Sequence, residues 1–193
     1  MKPETTALHT GYTHDEQHAV AVPIHQTTSF SFDSAQHAAD LFDLKVAGNI
    51  YSRIMNPTCA VLEQRLAALE GGIGALAMAS GMAAITATVQ TLAQEGDNIV
   101  SISELYGGTY NLFAHTLPRQ GMEVRFANKD DFDAIARLID ANTKALYCES
   151  IGNPSGNVAD LAGLAQVAHA HGIPLIVDNT VPSPTLLRPC SAL

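Results

Sequence analysis

Beyond Asn56 the apolar positions alternate between two periods. Leu62, Leu66 and Leu69 recur at the spacing of one helical face, and Gly71-Gly72 follows as a stop. The apolar run over 75–80 predicts a short strand, which Gly81 turns into an apolar helix over 82–94. Gly96-Asp97 marks a turn before a predicted strand over 98–101. A helix near 108–118 and a strand over 122–126 follow. Phe132, Ile135 and Leu138 mark the next helix, and 145–148 the next strand. Leu161, Leu164, Ala168 and His171 then share a helical face ahead of a last apolar strand over 174–177. Strands alternating with helices predict βαβ units, an α/β domain and a mostly parallel sheet. The unbroken runs ALYC and PLIV suit parallel strands buried on both faces. Ligands of such sheets bind beyond the carboxyl ends of the strands. Glu149 and Asp178 each stand just past one of those ends.

Residues 1–56 follow neither period. Gly11, Pro23 and Gly48 punctuate a polar stretch in which only 34–44 looks helical. Its apolar side chains, among them Val22, Ile24, Phe30, Phe32, Leu41 and Phe42, belong to no long periodic element, so the segment is expected to lie on something else. After Asp178 the chain reads NTVPSPTLLRPCSAL, where three prolines preclude a long regular element. An α/β domain is expected to continue beyond such a strand, so the domain is expected to be incomplete.

Composition narrows the function classes. Ten Lys+Arg against 19 Asp+Glu give a net charge of −9, which argues against nucleic-acid binding. With 47% hydrophobic and 15% charged residues, a packed core is expected. No run approaches the roughly 20 apolar residues of a membrane span. The start MKPETTALHTGY lacks the apolar core of a signal peptide, so a cytoplasmic protein is expected. Cys59, Cys148 and Cys190 form no CxxC pair and read as reduced, small buried hydrophobes.

Some residues carry candidate chemistry. Gly72-x-Gly74-x-x-Ala77 matches a loose dinucleotide pattern, but its glycines follow a helix, so it reads as a helix stop. Ser80-Gly81-Met82 opens a long helix, whose free N–H groups and positive dipole end make an anion site; the alternative is a simple turn. Arg53, in Tyr51-Ser52-Arg53, suits bidentate binding of phosphate or carboxylate, or is a solvated surface residue. Asp178 follows four apolar residues, where a carboxylate is costly unless it is paired. The pairs His14/His18 and His169/His171 lack a ligand set around them, so no metal is expected.

The segments AVPIHQTTSF (21–30), NIYSRIMNPT (49–58), VLEQRLAALEGG (61–72), ASGMAAI (79–85), ELYGGTYNLF (104–113), ESIGNP (149–154) and VDNT (177–180), in this order, resemble the Cys/Met-metabolism family of pyridoxal 5′-phosphate (PLP) enzymes of fold type I. The resemblance runs from about Thr6 to Pro189. GNIYSRIMNPT and LYGGTYNLF look most like the O-acetylhomoserine sulfhydrylase branch; cystathionine γ-synthases, β-lyases and methionine γ-lyases share the frame.

The resemblance implies the PLP-dependent transferase fold of type I, with an N-terminal arm (1–56) contacting a neighbouring subunit and a partial PLP-binding large domain (57–193). It implies PLP as cofactor, with Ser80, Gly81 and Met82 at its phosphate and Tyr51 and Arg53 reaching the phosphate of a neighbouring subunit. Tyr106 would stack on the pyridine ring and Asp178 would pair with its nitrogen, the two catalytic roles. Asn153 and Thr180 would hydrogen-bond nearby, and Glu149 would order that side of the ring. The implied reaction is γ-replacement on O-acetylhomoserine by sulfide to give homocysteine, in methionine biosynthesis. The implied assembly is a homotetramer with shared sites, without nucleic-acid or membrane partners. The alternatives are cystathionine γ-synthase or methionine γ-lyase activity, or an inert truncated relic. The family's Ser-x-Thr-Lys-like motif is absent, and Lys2, Lys45, Lys129 and Lys144 lack its context. The ending CSAL also departs from the family pattern. The chain alone is therefore expected not to complete a catalytic cycle.

Overall fold

Asn56 and Pro57 set the start of the longest helix: the Asn56 side chain accepts from Thr58 N–H, Pro57 sits in the first turn, and Gly71 ends the helix in the left-handed conformation at φ 75°. In the computed structural model, which describes residues 1–192, this helix is α3 (Pro57–Glu70). It is preceded by α1 (Pro3–His9) and α2 (Ala35–Phe42) and followed by α4 (Gly81–Leu92). Then come β1 (Asn98–Ile102), α5 (Gly107–Asn111), β2 (Glu123–Ala127), α6 (Phe132–Leu138), β3 (Thr143–Glu149), α7 (Leu161–Ala170), β4 (Leu175–Asp178), α8 (Ser183–Leu186) and α9 (Pro189–Ala192). The chain divides into two compact units, one from Met1 to Ala77 and one from Met78 onward.

In the first unit α1 packs on α3, burying Thr6 and Val61, and Arg65 Nε donates to Thr10 O at 2.8 Å. The irregular stretch between α1 and α3 is tied down mainly by hydrogen bonds. His25 N–H donates to Thr58 Oγ1 (2.9 Å), Thr58 Oγ1 donates to Pro23 O (2.9 Å), and Ser29 and Tyr51 form an antiparallel bridge. The sequence predicts only one helix before residue 57, but α1 forms as well. Pro3 and Glu4 start it, and Thr6 rather than an apolar residue is its buried contact, so no hydrophobic period announces it.

The second unit is built on a four-stranded parallel sheet in the order β2-β1-β3-β4. Helices between successive strands make the βαβ crossovers that the periodicity predicts. The core contains Ile99, Val100 and Ile102 from β1, Leu146 and Tyr147 from β3, and Phe113, Leu117, Ile135 and Leu164 from the connecting segments, each at most 1% exposed. At the amino ends of the strands Arg125 bonds Glu123 and Asp140, both at 2.7 Å, and Asn98 Nδ2 donates to Asp140 Oδ1 at 2.9 Å. These bonds hold the Asp140 carboxyl well below the usual carboxylate range.

Three expectations are corrected. The run over 75–80 forms no ladder among the described residues, and Leu76 and Met78 are exposed; a strand is stable only when its backbone groups are paired. The helix near 108–118 is not regular: after α5 the chain makes a π turn (Leu112–Thr116) and a 3₁₀ turn (Leu117–Gln120). Pro118 cannot continue an α-helical ladder, because it has no N–H and its ring crowds the carbonyl four residues before. Of the cysteines only Cys148 is buried; Cys59 and Cys190 are exposed. The final residue of CSAL, Leu193, lies outside the described residues.

Candidate active site

The carboxyl ends of β1, β3 and β4 each bring a residue to one edge of the sheet. The parallel register of β3 and β4 sets Glu149 directly beside Asp178, both on the last residue of their strands. Tyr106 follows β1 and precedes α5. Between them lies a cleft of about 290 Å³ lined by Ser80, Gly81, Met82, Ile85, Tyr106, Glu149, Ile151, Asn153, Asp178, Thr180 and Val181.

One wall is the start of α4. Ser80 is its cap: the side chain accepts from Ala83 N–H at 3.1 Å, and the carbonyl accepts from Ala84 N–H at 3.0 Å. Gly81 and Met82, in the first turn, line the cleft at the positive end of the helix, where N–H groups have no carbonyl of the preceding turn to bond. A Cβ built at Gly81 meets no atom within 4 Å, so the space over that turn is open. An anion is favoured there.

Another part of the lining is acidic. Asp178 Oδ1 accepts from Thr180 N (2.9 Å) and Thr180 Oγ1 (2.5 Å). Glu149 is only 4% exposed; its Oε1 accepts from Tyr106 N–H at 2.7 Å and its Oε2 from Asn153 N–H at 3.3 Å. Burial raises the Glu149 carboxyl above its ordinary range, the two N–H groups pull the other way, and the charge of Asp178 adds to the rise. Behind these groups burial pushes the Cys148 thiol up to about 12 and also raises the Tyr147 phenol, so neither is a nucleophile.

The Tyr106 ring is about half exposed at the cleft. Glu149 holds its amide, and Gly108 makes room for its ring: a Cβ there would stand 2.6 Å from Tyr106 Cε1. An anion site, two carboxylates and an aromatic face, with Ile85, Ile151 and Val181 among the lining, suit a flat ligand with a phosphate and a cationic ring nitrogen. PLP has that form, and the residues present fit it.

Eight of the ten residues singled out from the sequence therefore line this one cleft: Ser80, Gly81, Met82, Tyr106, Glu149, Asn153, Asp178 and Thr180. Tyr51 and Arg53 belong to the first unit, where the exposed Arg53 guanidinium lies 5.0 Å from the centre of the Tyr51 ring. The apolar lining residues Ile85, Ile151 and Val181 were not anticipated. Ile151 repeats the two-residue alternation from Glu149, which is the one signal the sequence carries for it.

Comparisons with known proteins agree with this geometry. The model of the Cys/Met metabolism PLP-dependent enzyme family matches residues 4–192. A homocysteine/cysteine synthase of Kluyveromyces lactis is 56% identical over 179 residues, covering 92% of this chain and 40% of that protein. An O-acetyl-L-homoserine sulfhydrylase of Thermus thermophilus is 56% identical over 182 residues, covering 93% and 43%. A crystal structure from Campylobacter jejuni, solved as a candidate O-acetylhomoserine (thiol)-lyase holding N′-pyridoxyl-lysine-5′-monophosphate, superposes with a TM-score of 0.97 at 45% identity, over 99% of this chain and 47% of that one. The chain thus spans less than half the length of these relatives. With the fold, the cleft and a family match along nearly the whole length in agreement, the chain belongs to the Cys/Met metabolism PLP-dependent enzymes.

Proposed function

We propose that the cleft binds PLP and that the complete protein uses it for γ-replacement on O-acetylhomoserine by sulfide, giving homocysteine. The observation that carries the cofactor reading is that the α4 amino end, the neighbouring Glu149 and Asp178 carboxylates and Tyr106 line one cleft. The choice of substrates rests on the relatives named for homocysteine synthesis and O-acetylhomoserine sulfhydrylation.

When bound, PLP supplies an electron sink for a substrate carbanion. The chain's own residues prepare it. Gly81 and Met82 would offer N–H groups to the phosphate, and Ser80 caps the turn that carries them. Tyr106 offers a ring face, anchored by Glu149 through its amide. Asp178, with Oδ1 held by Thr180, would pair through its other oxygen with the ring nitrogen and keep a proton there. Glu149 and Asn153 close the same side through the bond from Asn153 N–H. Ile85, Ile151 and Val181 keep part of the wall apolar and so strengthen these charge interactions.

Residues 1–56 serve in this reading as an arm on a neighbouring subunit, with Tyr51 and Arg53 directed to that subunit's phosphate site. The support is that Arg53 is exposed and has no acidic partner among the described residues.

The reaction is tested by expressing the reading frame together with the DNA downstream of codon 193 and supplying PLP. Homocysteine formed from O-acetylhomoserine and sulfide is the expected product. Cystathionine from an acylhomoserine and cysteine, or thiol release from methionine, in its place would assign another branch. No turnover with any pair, despite bound PLP, would overturn the enzymatic reading.

A further inference from the structure

Tyr147 lies in the middle of a run that reads as plain core, yet it brings a hydroxyl into that core. It is 0% exposed. A buried phenol loses water and needs a polar partner in exchange. The β3–β4 register sets Tyr147 opposite Ile176 and Glu149 opposite Asp178, which makes Asp178 the diagonal neighbour of Tyr147. The hydroxyl stands 3.4 Å from Asp178 Oδ2, at the long end for a hydrogen bond.

The ring is fixed from behind. Phe113 packs edge-on against it, with centroids 4.8 Å apart and planes at 82°. Phe113 belongs to the π turn that interrupts the helix begun by α5 and is itself 0% exposed. The buried Thr109, on α5, also interacts with the phenol. α5 and the π turn that follows it thus each seat one side chain on Tyr147.

The two oxygens of Asp178 are differently engaged. Oδ1 takes two bonds from Thr180, whereas among the described residues Oδ2 takes the long contact from Tyr147 alone. A carboxylate oxygen has two lone-pair sites, so Oδ2 is steered but still free to accept from a ligand. We propose that Tyr147 is a positioning residue for Asp178: its hydroxyl sets the carboxylate plane from beneath the cleft so that the open lone pair of Oδ2 faces a ring N–H. This inference rests on the reading that Asp178 meets the cofactor's ring nitrogen.

Titrating the chain with PLP and with its 1-carba analogue, in which C–H replaces the ring nitrogen, isolates that contact. The parent should prefer PLP. Tyr147→Phe should shrink the preference about threefold to tenfold, the range for loss of one hydrogen bond to a charged group that is long rather than ideal. Its affinity for the analogue should stay unchanged. Combined with Asp178→Asn it should cost nothing further. Equal losses for both ligands, as a merely structural role would give, or an unchanged preference would overturn the proposal. The ligand-free chain separates this from the cofactor reading. The ¹³C carboxyl signal of Asp178 should move on Tyr147→Phe, and an unmoved signal overturns the contact. A moved signal in a chain that does not distinguish the two ligands supports the contact and refutes the ring-nitrogen role of Asp178.

Discussion

Replacing Asp178 by asparagine separates charge from shape at the acidic end of the cleft. The amide is isosteric, and its oxygen can still accept from Thr180 N and Oγ1, which now hold Oδ1 at 2.9 and 2.5 Å. What is lost is the negative charge facing a protonated ring nitrogen. A hydrogen bond to a charged group contributes about 1.5–3 kcal/mol and a neutral one about 0.5–1.5 kcal/mol. The substitution should therefore cost about 1–2 kcal/mol of binding, or about 5–30-fold in the dissociation constant of PLP. Calorimetric titration of the chain with PLP measures this directly, with inorganic phosphate as a control that touches only the start of α4. Phosphate affinity should not change, and thermal stability should shift by no more than about 0.5 kcal/mol, as for a substitution that keeps its bonds. Unchanged PLP affinity would refute the pairing. Equal losses for PLP and phosphate would show that Asp178 supports the fold of the cleft rather than the ring.

Other outcomes follow from the same geometry. Among the described residues no lysine lines the cleft, so borohydride treatment of the chain with one equivalent of PLP should leave no pyridoxyl group on Lys45, Lys129 or Lys144; peptide mass mapping checks this, and one dominant modified lysine would contradict it. Glu149 has a folded-state pKa raised mainly by burial, so its contribution to stability is full below the ordinary carboxylate range, about pH 4, and is lost as pH rises through the raised value. Glu149→Gln should thus gain in thermal midpoint relative to the parent as pH rises toward neutrality, and a difference independent of pH would contradict the burial argument. If Arg53 serves a neighbouring subunit, PLP affinity should increase with chain concentration and Arg53→Ala should abolish the increase; equal weakening at all concentrations would place Arg53 at its own chain's site.

Much of the second unit was legible because parallel strands and their covering helices must each bury a face. ALYC and PLIV announce β3 and β4, and the carboxylates that end these strands had no apolar reason to be there. The site was legible for the same reason, since Gly81, Glu149 and Asp178 break the local pattern at the edge where ligands bind. Elements that do not bury an apolar face were harder to read. α1 contacts α3 through Thr6, and the stretch before α3 is held by hydrogen bonds such as Thr58 to Pro23. The π turn escaped because its cause is a single proline downstream, and Phe113 keeps an apolar position in either geometry. Tyr147 looked like core because it is core; only the β3–β4 register shows that its hydroxyl reaches Asp178.

The central claim is that the start of α4 holds the phosphate of PLP while Asp178 and Tyr106 meet its ring. Amide NMR of the ¹⁵N-labelled chain during titration tests it most directly. With PLP the signals of Gly81 and Met82 should move together with those of Tyr106 and Asp178. With inorganic phosphate only Gly81, Met82 and their immediate neighbours should move, and with phosphate-free pyridoxal those two should stay in place. PLP binding that leaves Gly81 and Met82 unmoved, or no binding at this cleft, would contradict the account.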